Sequence, residues 1–209
     1  NLSGQDFPLQ SKKKIQAFLS ENRGKDFLKI ANQFITRTNT MNRIENYFVE
    51  GENGFAGSPY QRSYMPYTTP YIGGQWKMLS RPCVEFLTEN IEVSKFRDYY
   101  KNTLIADESF FQTVLMNTTY PGTIVNDDKR AIIWVPEIGP KLASKVFTES
   151  ETNALIESGE IKLRPKTLTI DDLPYLIESN ALFGRKFDET IDHEILEVLE
   201  TMIAEEEKI

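Results

Sequence analysis

The sequence predicts an α/β fold in a single domain over residues 1–209, with a mixed sheet flanked by helices. Short β-branched or apolar runs alternate along the chain with segments whose apolar residues recur at helical spacing. The 209 residues are enough to bury one sizeable core. No apolar run approaches the roughly 18 residues that a bilayer-spanning helix needs, so the sequence predicts a soluble globular chain.

Helices are predicted where apolar residues recur every three or four positions behind a capping residue. Ser11 and Ser80 are the predicted caps of two helices, and Pro82 suits the first turn of the second one. The predicted helices span residues 11–22, 82–101, 106–116, 149–158, 171–180 and 192–206.

Strands are predicted over residues 26–31, 46–49, 72–80, 131–135 and 161–164. The strand 131–135 is the clearest buried one, and Pro136 is expected to end it. Gly73 and Gly74 open the strand 72–80, where the backbone can approach another strand or a ligand closely. Residues 51–71 lack periodicity, which is typical of a long functional or mobile loop.

Charge and rare residues exclude several classes of function. The formal charge of −7 and the pI near 5.0 argue against a general nucleic-acid binder, so an anionic ligand would need a local basic cluster. The single cysteine, Cys83, and the single histidine, His193, exclude an internal disulfide and cysteine- or histidine-rich metal sites. We expect His193 at the surface. Asn117 begins a lone glycosylation sequon, which is a weak signal.

The stretch 106–116 carries the first candidate chemistry. Asp107 is a predicted N-cap and Glu108 falls in the first helical turn, on the same face as Phe111, Gln112 and Leu115. An acidic residue in a first turn commonly serves only the helix dipole, so a structural role stays open. The two acids cannot flank one glycosidic bond, because neighbours on a helix point about 100 degrees apart.

Two charged groups have both a functional and a structural interpretation. Asp127 and Asp128 resemble an acidic metal motif, but their composition is also that of an ordinary turn. Lys162, Arg164 and Lys166 alternate in an extended segment, where they can form an anion site on one side. An exposed strand edge protected by charges explains the same pattern.

The aromatic residues also have two interpretations. Tyr60, Tyr64, Tyr67, Tyr71 and Trp76 are crowded into one region. Such residues can line a sugar site by stacking on a pyranose ring, and they can equally be core residues.

Four blocks, read in order, resemble the core-2/I-branching N-acetylglucosaminyltransferase and peptide O-xylosyltransferase family, glycosyltransferase family 14, in its bacterial form. The blocks are residues 2–9, 73–81, 107–113 and 182–188. The resemblance implies a GT-A-like, Rossmann-related domain. It also implies that this chain corresponds to about the carboxy-terminal two thirds of that domain, with the first nucleotide-binding strands missing from it. The resemblance is weakest over residues 43–71, which leaves the acceptor open.

The resemblance implies an inverting, metal-independent transfer of a GlcNAc- or xylose-like sugar from a UDP-sugar to a glycan hydroxyl. Glu108 matches the general base of the family, and Arg164 and Lys186 match its basic pair on the diphosphate. No metal cofactor is expected. A helix N-terminus would keep Glu108 ionised before the reaction, as a general base requires.

Further pocket residues follow from the same resemblance. Trp134 matches an aromatic position near the acceptor site, although it can also be the end of a core strand. Gln75 and Trp76 lie in the block that shapes the sugar pocket, and Asp107 belongs to the Asp-Glu block. Asp6 lies in a block beside the donor site, although a turn-forming role explains it equally well.

The implied partners are a UDP-sugar and a glycan acceptor, with no nucleic acid. The resemblance implies a cytoplasmic location; peripheral membrane association and the oligomeric state stay open. A non-catalytic glycan-binding or assembly module of polysaccharide synthesis with the same fold is the alternative, and a hydrolase is a weaker one.

Overall fold

The computed structural model describes residues 1–52, 54–139, 142 and 145–208, with residues 55 and 57–59 described by their backbone alone. The strands in this part are β1 Asp6–Pro8, β2 Lys25–Leu28, β3 Ala31–Asn32, β4 Asn46–Gly51, β5 Gly54–Gln61, β6 Tyr71–Ile72, β7 Lys77–Met78, β8 Thr123–Val125, β9 Arg130–Ile132, β10 Trp134–Glu137, β11 Lys162–Pro165 and β12 Phe183–Arg185.

The α-helices in the described residues are mostly short. They are α1 Lys12–Glu21, α2 Gln33–Thr36, α3 Asn42–Glu45, α4 Arg81–Glu89, α5 Ser94–Tyr100, α6 Phe110–Met116, α7 Glu149–Ser158, α8 Leu173–Glu178 and α9 Glu194–Glu207. Single 3₁₀ turns occupy Thr38–Thr40, Ile91–Val93, Ala106–Glu108 and Ile170–Asp172. None of the helices in the described part of the chain has the length and apolar character needed to cross a membrane.

The chain divides into two compact units. The first unit contains Asn1 and Arg23–Asp128, and the second contains Leu2–Asn22 and Lys129–Ile209. Each sheet that the described residues form lies within one unit. The predicted mixture of helices and small mixed sheets is confirmed at this level, and the prediction of a single domain stays a prediction.

The first unit contains one mixed sheet and two strand pairs. Strand β2 pairs antiparallel with β7 and parallel with β8, while β3 pairs with β6 and β4 with β5. The helices α4, α5 and α6 cover a core whose buried members are Leu28, Cys83, Leu87, Val93, Phe96, Val114 and Leu115. Burying each large side chain of this set stabilises the unit by about 1.5–3 kcal/mol.

The second unit is built around the sheet β1–β12–β9. Strand β12 pairs antiparallel with β1 and parallel with β9, and β10 pairs with β11 in a separate two-stranded sheet. Helices α8 and α9 contribute to a core made of Ala131, Leu168, Leu176, Ala181, Phe187, Ile195 and Leu199.

The predicted helix caps are confirmed. The Ser11 hydroxyl accepts a hydrogen bond from the amide of Lys14, and the Ser80 hydroxyl accepts one from the amide of Cys83. The distance from amide nitrogen to hydroxyl oxygen is 3.3 Å in both cases. The helix predicted over 149–158 has those bounds, and Thr148 forms a capping box with Glu151 at its start. These starts could be predicted because a cap is a contact between close neighbours in sequence.

The single helix predicted over 82–101 is wrong. Helix α4 ends at Glu89, because the next residue, Asn90, has an extended backbone with ψ 135°, and its side-chain oxygen accepts the Glu92 amide at 2.8 Å. A 3₁₀ turn and then α5 follow. The asparagine side chain replaces a helical hydrogen bond locally, which explains the break.

The strand predicted over 131–135 and the loop predicted over 51–71 also differ from the structure. Residues on either side of Ile133 join different sheets, and Pro136 lies inside β10 opposite Leu163. Each strand of a two-stranded sheet is an edge, where proline is tolerated. Within 51–71, the residues Gly54–Gln61 form β5, which pairs with β4.

Candidate active site

The predicted helix over 106–116 is two elements, a 3₁₀ turn over Ala106–Glu108, here called the acidic turn, and the α-helix Phe110–Met116. Ser109 separates them, because its hydroxyl donates to the Tyr71 carbonyl at 2.8 Å instead of capping the helix. The prediction that Asp107 is the N-cap is therefore wrong. Glu108 lies in the 3₁₀ turn that precedes the α-helix, and not in the first turn of that helix as predicted.

Glu108 is held by an arginine. Its carboxylate oxygen Oε2 accepts from Arg43 Nη1 at 2.8 Å, and both side chains are about seven-tenths buried, with 29% and 28% of their surfaces exposed. Among the described residues, no other group hydrogen-bonds this carboxylate, so Oε1 can accept a proton or a hydrogen bond from a ligand. The Glu108 carbonyl accepts the Gly73 amide at 2.8 Å, which fixes the backbone behind the carboxylate.

Lys77 lies beside the acidic turn with only 8% of its surface exposed. Its ammonium donates to the carbonyls of Gln75 at 2.6 Å and Asp107 at 3.2 Å, and it lies 4.3 Å from the centre of the Phe111 ring. Burial lowers the pKa of Lys77 to about 8, while the negative charges of Asp107 and Glu108 act in the opposite direction. Glu108 thus has cationic neighbours on two elements.

Sequence reasoning missed both cations. Arg43 is 65 positions from Glu108 and lies where the family resemblance is weakest, so only the folded chain pairs them. Lys77 lies inside the block 73–81, which carries the family resemblance, and this position could have marked Lys77 as a candidate site residue. Its burial, however, depends on non-local packing.

Gly73 brings the block 73–81 against the acidic turn. A side-chain carbon at this position would lie 1.9 Å from the Lys29 carbonyl oxygen and 2.9 Å from Gln112 Nε2. The predicted close approach of the backbone at the glycine pair is therefore confirmed for Gly73. Gln112, which is fully buried, donates to the Gly74 carbonyl at 3.2 Å and ties α6 to the same block.

A buried hydroxyl network fixes the start of α6. Tyr100 OH lies 3.1 Å from Ser109 Oγ and 3.2 Å from Thr113 Oγ1, and Thr113 Oγ1 accepts the Tyr71 amide at 2.9 Å. Tyr64 joins the network through Tyr100 at 3.3 Å, and burial, together with Tyr100, raises the pKa of Tyr64. These contacts hold the residues that follow Glu108 in one arrangement.

The other predicted pocket residues of the first unit differ in exposure. Asp107 is exposed and Gln75 is partly exposed, whereas Trp76 is 6% exposed and packs inside the unit. The aromatic residues of this region do not form one cluster. Tyr60 and Tyr67 are exposed, whereas Tyr64 packs edge-on against the rings of Phe34 and Tyr99.

In the second unit, Arg164 lies on β11 with 60% of its side chain exposed, and its Nε donates to Glu137 Oε2 at 2.7 Å. Lys162, Arg164 and Lys166, which were predicted to form either one anion site or a charged strand edge, differ in their ion pairs in the structure. Lys166 lies beyond the strand and is paired with Asp172 at 2.6 Å, while Lys162 makes no ion pair with any described residue. Charges along an exposed edge therefore account for part of this pattern.

Trp134 and Arg164 point to opposite faces of the two-stranded sheet. In the antiparallel register Trp134 lies opposite Pro165, and the next residue, Val135, lies opposite Arg164. Residues directly opposite each other share a face, and successive residues of a strand alternate between faces. Trp134 is 52% exposed, so the alternative that it ends a core strand is wrong. Its ring is accessible to a ligand.

Lys186 directly follows β12. Its carbonyl accepts the Leu168 amide at 2.8 Å, and its amide donates to the Lys166 carbonyl at 3.5 Å. Within the described residues its ammonium makes no hydrogen bond or ion pair. The Thr190 hydroxyl and amide, and then the charge of Lys186, lower the pKa of Asp188.

Asp6 is a buried carboxylate at the start of the central sheet of the second unit. Its side chain is 1% exposed, accepts the Ser3 amide at 2.6 Å, and lies 3.4 Å from Arg185 and 3.9 Å from Arg130. These contacts support the turn-forming role. A role beside the donor stays a prediction.

The remaining sequence signals have structural explanations. Asn117 exchanges hydrogen bonds with the Thr69 backbone at 2.8 and 3.0 Å, which occupies the side chain of the sequon. Cys83 is buried, and burial raises the pKa of its thiol to about 12. His193 is 66% exposed, as expected. In the described residues no three His, Cys, Asp or Glu side chains are grouped to hold a metal ion, and Asp127 lies 3.8 Å from Lys29.

Comparison with known proteins supplies the family. The family model described as "Core-2/I-Branching enzyme" matches residues 1–158. Xylosyltransferase 2 of Homo sapiens is 28% identical over 206 residues, which cover 96% of this chain and 22% of that protein. Xylosyltransferase oxt of Drosophila pseudoobscura pseudoobscura is 28% identical over 208 residues, with the same coverage.

A third relative, xylosyltransferase 1 of Canis lupus familiaris, is 31% identical over 148 residues, which cover 69% of this chain and 15% of that protein. The chain therefore spans about a fifth of the length of the curated relatives that it matches. The family model covers well over half of the chain, and the matched residues include the acidic turn. The chain belongs to the Core-2/I-branching enzyme family.

Proposed function

We propose that this chain provides the catalytic part of a glycosyltransferase with a GT-A-like domain, which transfers a sugar from a UDP-sugar to a hydroxyl group of a glycan or other acceptor. Membership of the family supports the reaction class. The relatives are named xylosyltransferases, so xylose is the first donor sugar to test and GlcNAc is the second. We further propose that the transfer inverts the anomeric centre and needs no metal.

The arrangement of Glu108 is the single observation that carries the proposal. One carboxylate oxygen is held by Arg43, and the other is left to receive a proton. In the proposed step, Glu108 takes the proton of the acceptor hydroxyl while the acceptor oxygen bonds to the anomeric carbon. The bond from that carbon to the diphosphate oxygen breaks, and its electron pair leaves with UDP.

Arg164 and Lys186 are the proposed diphosphate-binding residues. Charge develops on the leaving diphosphate, and cationic donors stabilise it most effectively in the transition state. The Nε of Arg164 is bound to Glu137, but its terminal nitrogens and the Lys186 ammonium can donate to phosphate oxygens. An exposed Trp134 ring suits stacking against a sugar. The other residues proposed to contact the donor or the acceptor are Asp6 in the second unit and Gln75, Trp76 and Asp107 in the first.

Replacing Glu108 tests the base assignment. We expect Glu108→Gln to lower kcat for sugar transfer by at least about 100-fold, because the amide cannot accept the proton, while UDP affinity stays within about twofold. The assay uses a panel of UDP-sugars with EDTA present. Glu85→Gln, which removes an exposed carboxylate of the same unit, is the control and should retain activity.

Two outcomes contradict the base assignment: full activity in Glu108→Gln, or loss of UDP binding in that variant. A wild-type protein that transfers sugar only after a divalent metal is added contradicts the metal-independent step. Glycan binding without measurable UDP affinity would instead favour a non-catalytic module.

Calorimetry with UDP tests the diphosphate site. Arg164→Met and Lys186→Met should each weaken UDP binding about tenfold, because each removes one charged donor to the diphosphate. Lys13→Met removes an exposed charge from α1 in the same unit and should bind UDP like the wild type. Unchanged UDP affinity in both Arg164→Met and Lys186→Met would refute this part of the proposal.

A further inference from the structure

Lys77 combines burial, a positive charge and contact with the acidic turn. Its ammonium bridges the carbonyls of Gln75 and Asp107, so it joins the block 73–81 to the residue that precedes Glu108. The strand β7 that carries it pairs with β2, where Leu28 lies opposite. The ammonium therefore lies between a strand, the acidic turn and the Phe111 ring.

The charged groups around Lys77 come from several elements. Asp107 and Glu108 face it from the acidic turn, and Arg43 neutralises the Glu108 carboxylate from α3. From β2, Asp26 is already occupied, because its carboxylate accepts the Ser80 amide at 2.7 Å and the Tyr120 hydroxyl. Asp107 and Glu108 are thus the anions that Lys77 can influence directly.

A purely structural role explains this arrangement poorly. Burying a lysine costs free energy, because its charge loses water that a hydrocarbon side chain of similar length would not need. A methionine would fill the same space beside Phe111 without that cost. The charge is therefore the property of Lys77 that the site uses.

We propose that Lys77 is a positioning residue for the transfer reaction, which holds the acidic turn through the Asp107 carbonyl and whose protonated form sets the alkaline limit of activity. This inference rests on the proposed function. A charged donor makes stronger hydrogen bonds than a neutral amine, so the turn loosens when Lys77 loses its proton. A group whose pKa is lowered to about 8 loses that proton as the pH rises through 8.

The pH profile of transfer tests the inference. We expect wild-type kcat to fall about fivefold as the pH rises through 8. Lys77→Arg should remove this fall, because a guanidinium stays protonated throughout the range. Lys77→Met should be about fivefold slower at pH 7 and show no alkaline fall. Lys101→Met removes an exposed lysine of the same unit and should keep the wild-type profile.

An alkaline fall that persists in Lys77→Arg, or a wild-type profile in Lys77→Met, overturns the inference. Circular dichroism checks that both variants are folded. If Lys77→Met does not fold, the pH profile of Lys77→Arg alone decides the inference. UDP affinity should be unchanged in both, since Lys77 acts on the turn and not on the nucleotide.

A second measurement does not depend on activity. The pKa of the Lys77 ammonium is followed by NMR in protein with labelled lysine, in the wild type and in Glu108→Gln. Loss of the negative charge at Glu108 should shift the Lys77 pKa downward, and an unchanged pKa would refute the coupling. If no UDP-sugar supports transfer, the proposed function fails while this titration still decides whether Lys77 and Glu108 are coupled.

Discussion

Glu108 depends on Arg43 for its orientation. A glutamate side chain has three rotatable bonds, and the ion pair at 2.8 Å leaves one carboxylate oxygen in a fixed direction. Water reaches the 28% and 29% of these side chains that are exposed and screens the pair in part, which limits its contribution to stability. In the proposed mechanism its contribution to the reaction is larger, because small displacements of a general base are costly for the rate.

We predict that Arg43→Gln lowers kcat about tenfold and leaves the thermal unfolding temperature nearly unchanged. Arg43→Lys should recover part of the rate, since lysine keeps the charge but donates from a single nitrogen. Steady-state kinetics and calorimetric scans measure the two effects. A rate loss that merely follows a large loss of stability would show that Arg43 is a structural residue instead.

The candidate site illustrates what a sequence reveals about single residues. The family resemblance predicts Glu108 as a site residue, and that role stays a prediction, whereas its capped-helix setting was predicted wrongly. Arg43 could not be predicted, because its pairing with Glu108 is made by folding across 65 positions. Local rules describe contacts between neighbours, and the electrostatics of a site are mostly non-local.

At the scale of elements, the block 73–81 is positioned by a glycine. A side chain at position 73 would overlap the Lys29 carbonyl, which belongs to the backbone and cannot rotate away. Because the Gly73 amide also donates to the Glu108 carbonyl, any shift of this block moves the acidic turn. If the acidic turn carries the proposed general base, stability and activity are coupled at this glycine.

We predict that Gly73→Ala destabilises the protein by about 3 kcal/mol or more and lowers transfer activity in the molecules that still fold. Gly51→Ala is the matched control, because its added carbon would have ordinary contact with the Gly54 carbonyl at 3.9 Å. Chemical denaturation measures both variants. Equal stability of the two variants would contradict the close approach at Gly73.

The elements themselves were predictable to different degrees. The starts of α1, α4 and α7 follow from caps that lie within three residues of the helix. The division of residues 130–137 between two sheets depends on partners at 162–165 and 183–185, which no local pattern reveals. Periodicity predicts that a segment is extended, but strand pairing decides where it divides.

At the scale of the whole molecule, the alternation of short apolar runs with segments of helical periodicity predicted an α/β class of fold, and the net charge of −7 argued against a general nucleic-acid binder. Neither could predict that the chain divides into two compact units, each with its own buried core. The division depends on which segments contact each other, and residues 2–22 join the carboxy-terminal half of the chain.

Carboxylates with a lowered pKa are concentrated in the second unit. Burial opposes the lowering at Asp172, but hydrogen bonds from Lys166 and the Thr169 amide outweigh it. The Ile170 and Ile195 amides lower the pKa of Asp192, and Lys14 lowers that of Glu206. A lowered pKa stabilises the fold above the unfolded-state value, and this stability is lost as the pH falls through the folded-state value.

We therefore predict that the amides of the second unit lose protection against hydrogen exchange below about pH 4, beginning at the 3₁₀ turn Ile170–Asp172. Asp172→Asn should already lose about 1–2 kcal/mol at pH 7, after allowing for solvent screening, and should lose less on further acidification because it has no carboxylate left to protonate. Hydrogen exchange across this turn measures both effects, with Asp171→Asn, an exposed neighbour, as the control. An equal response to acid in the two variants would mean that the acid sensitivity arises elsewhere in the chain.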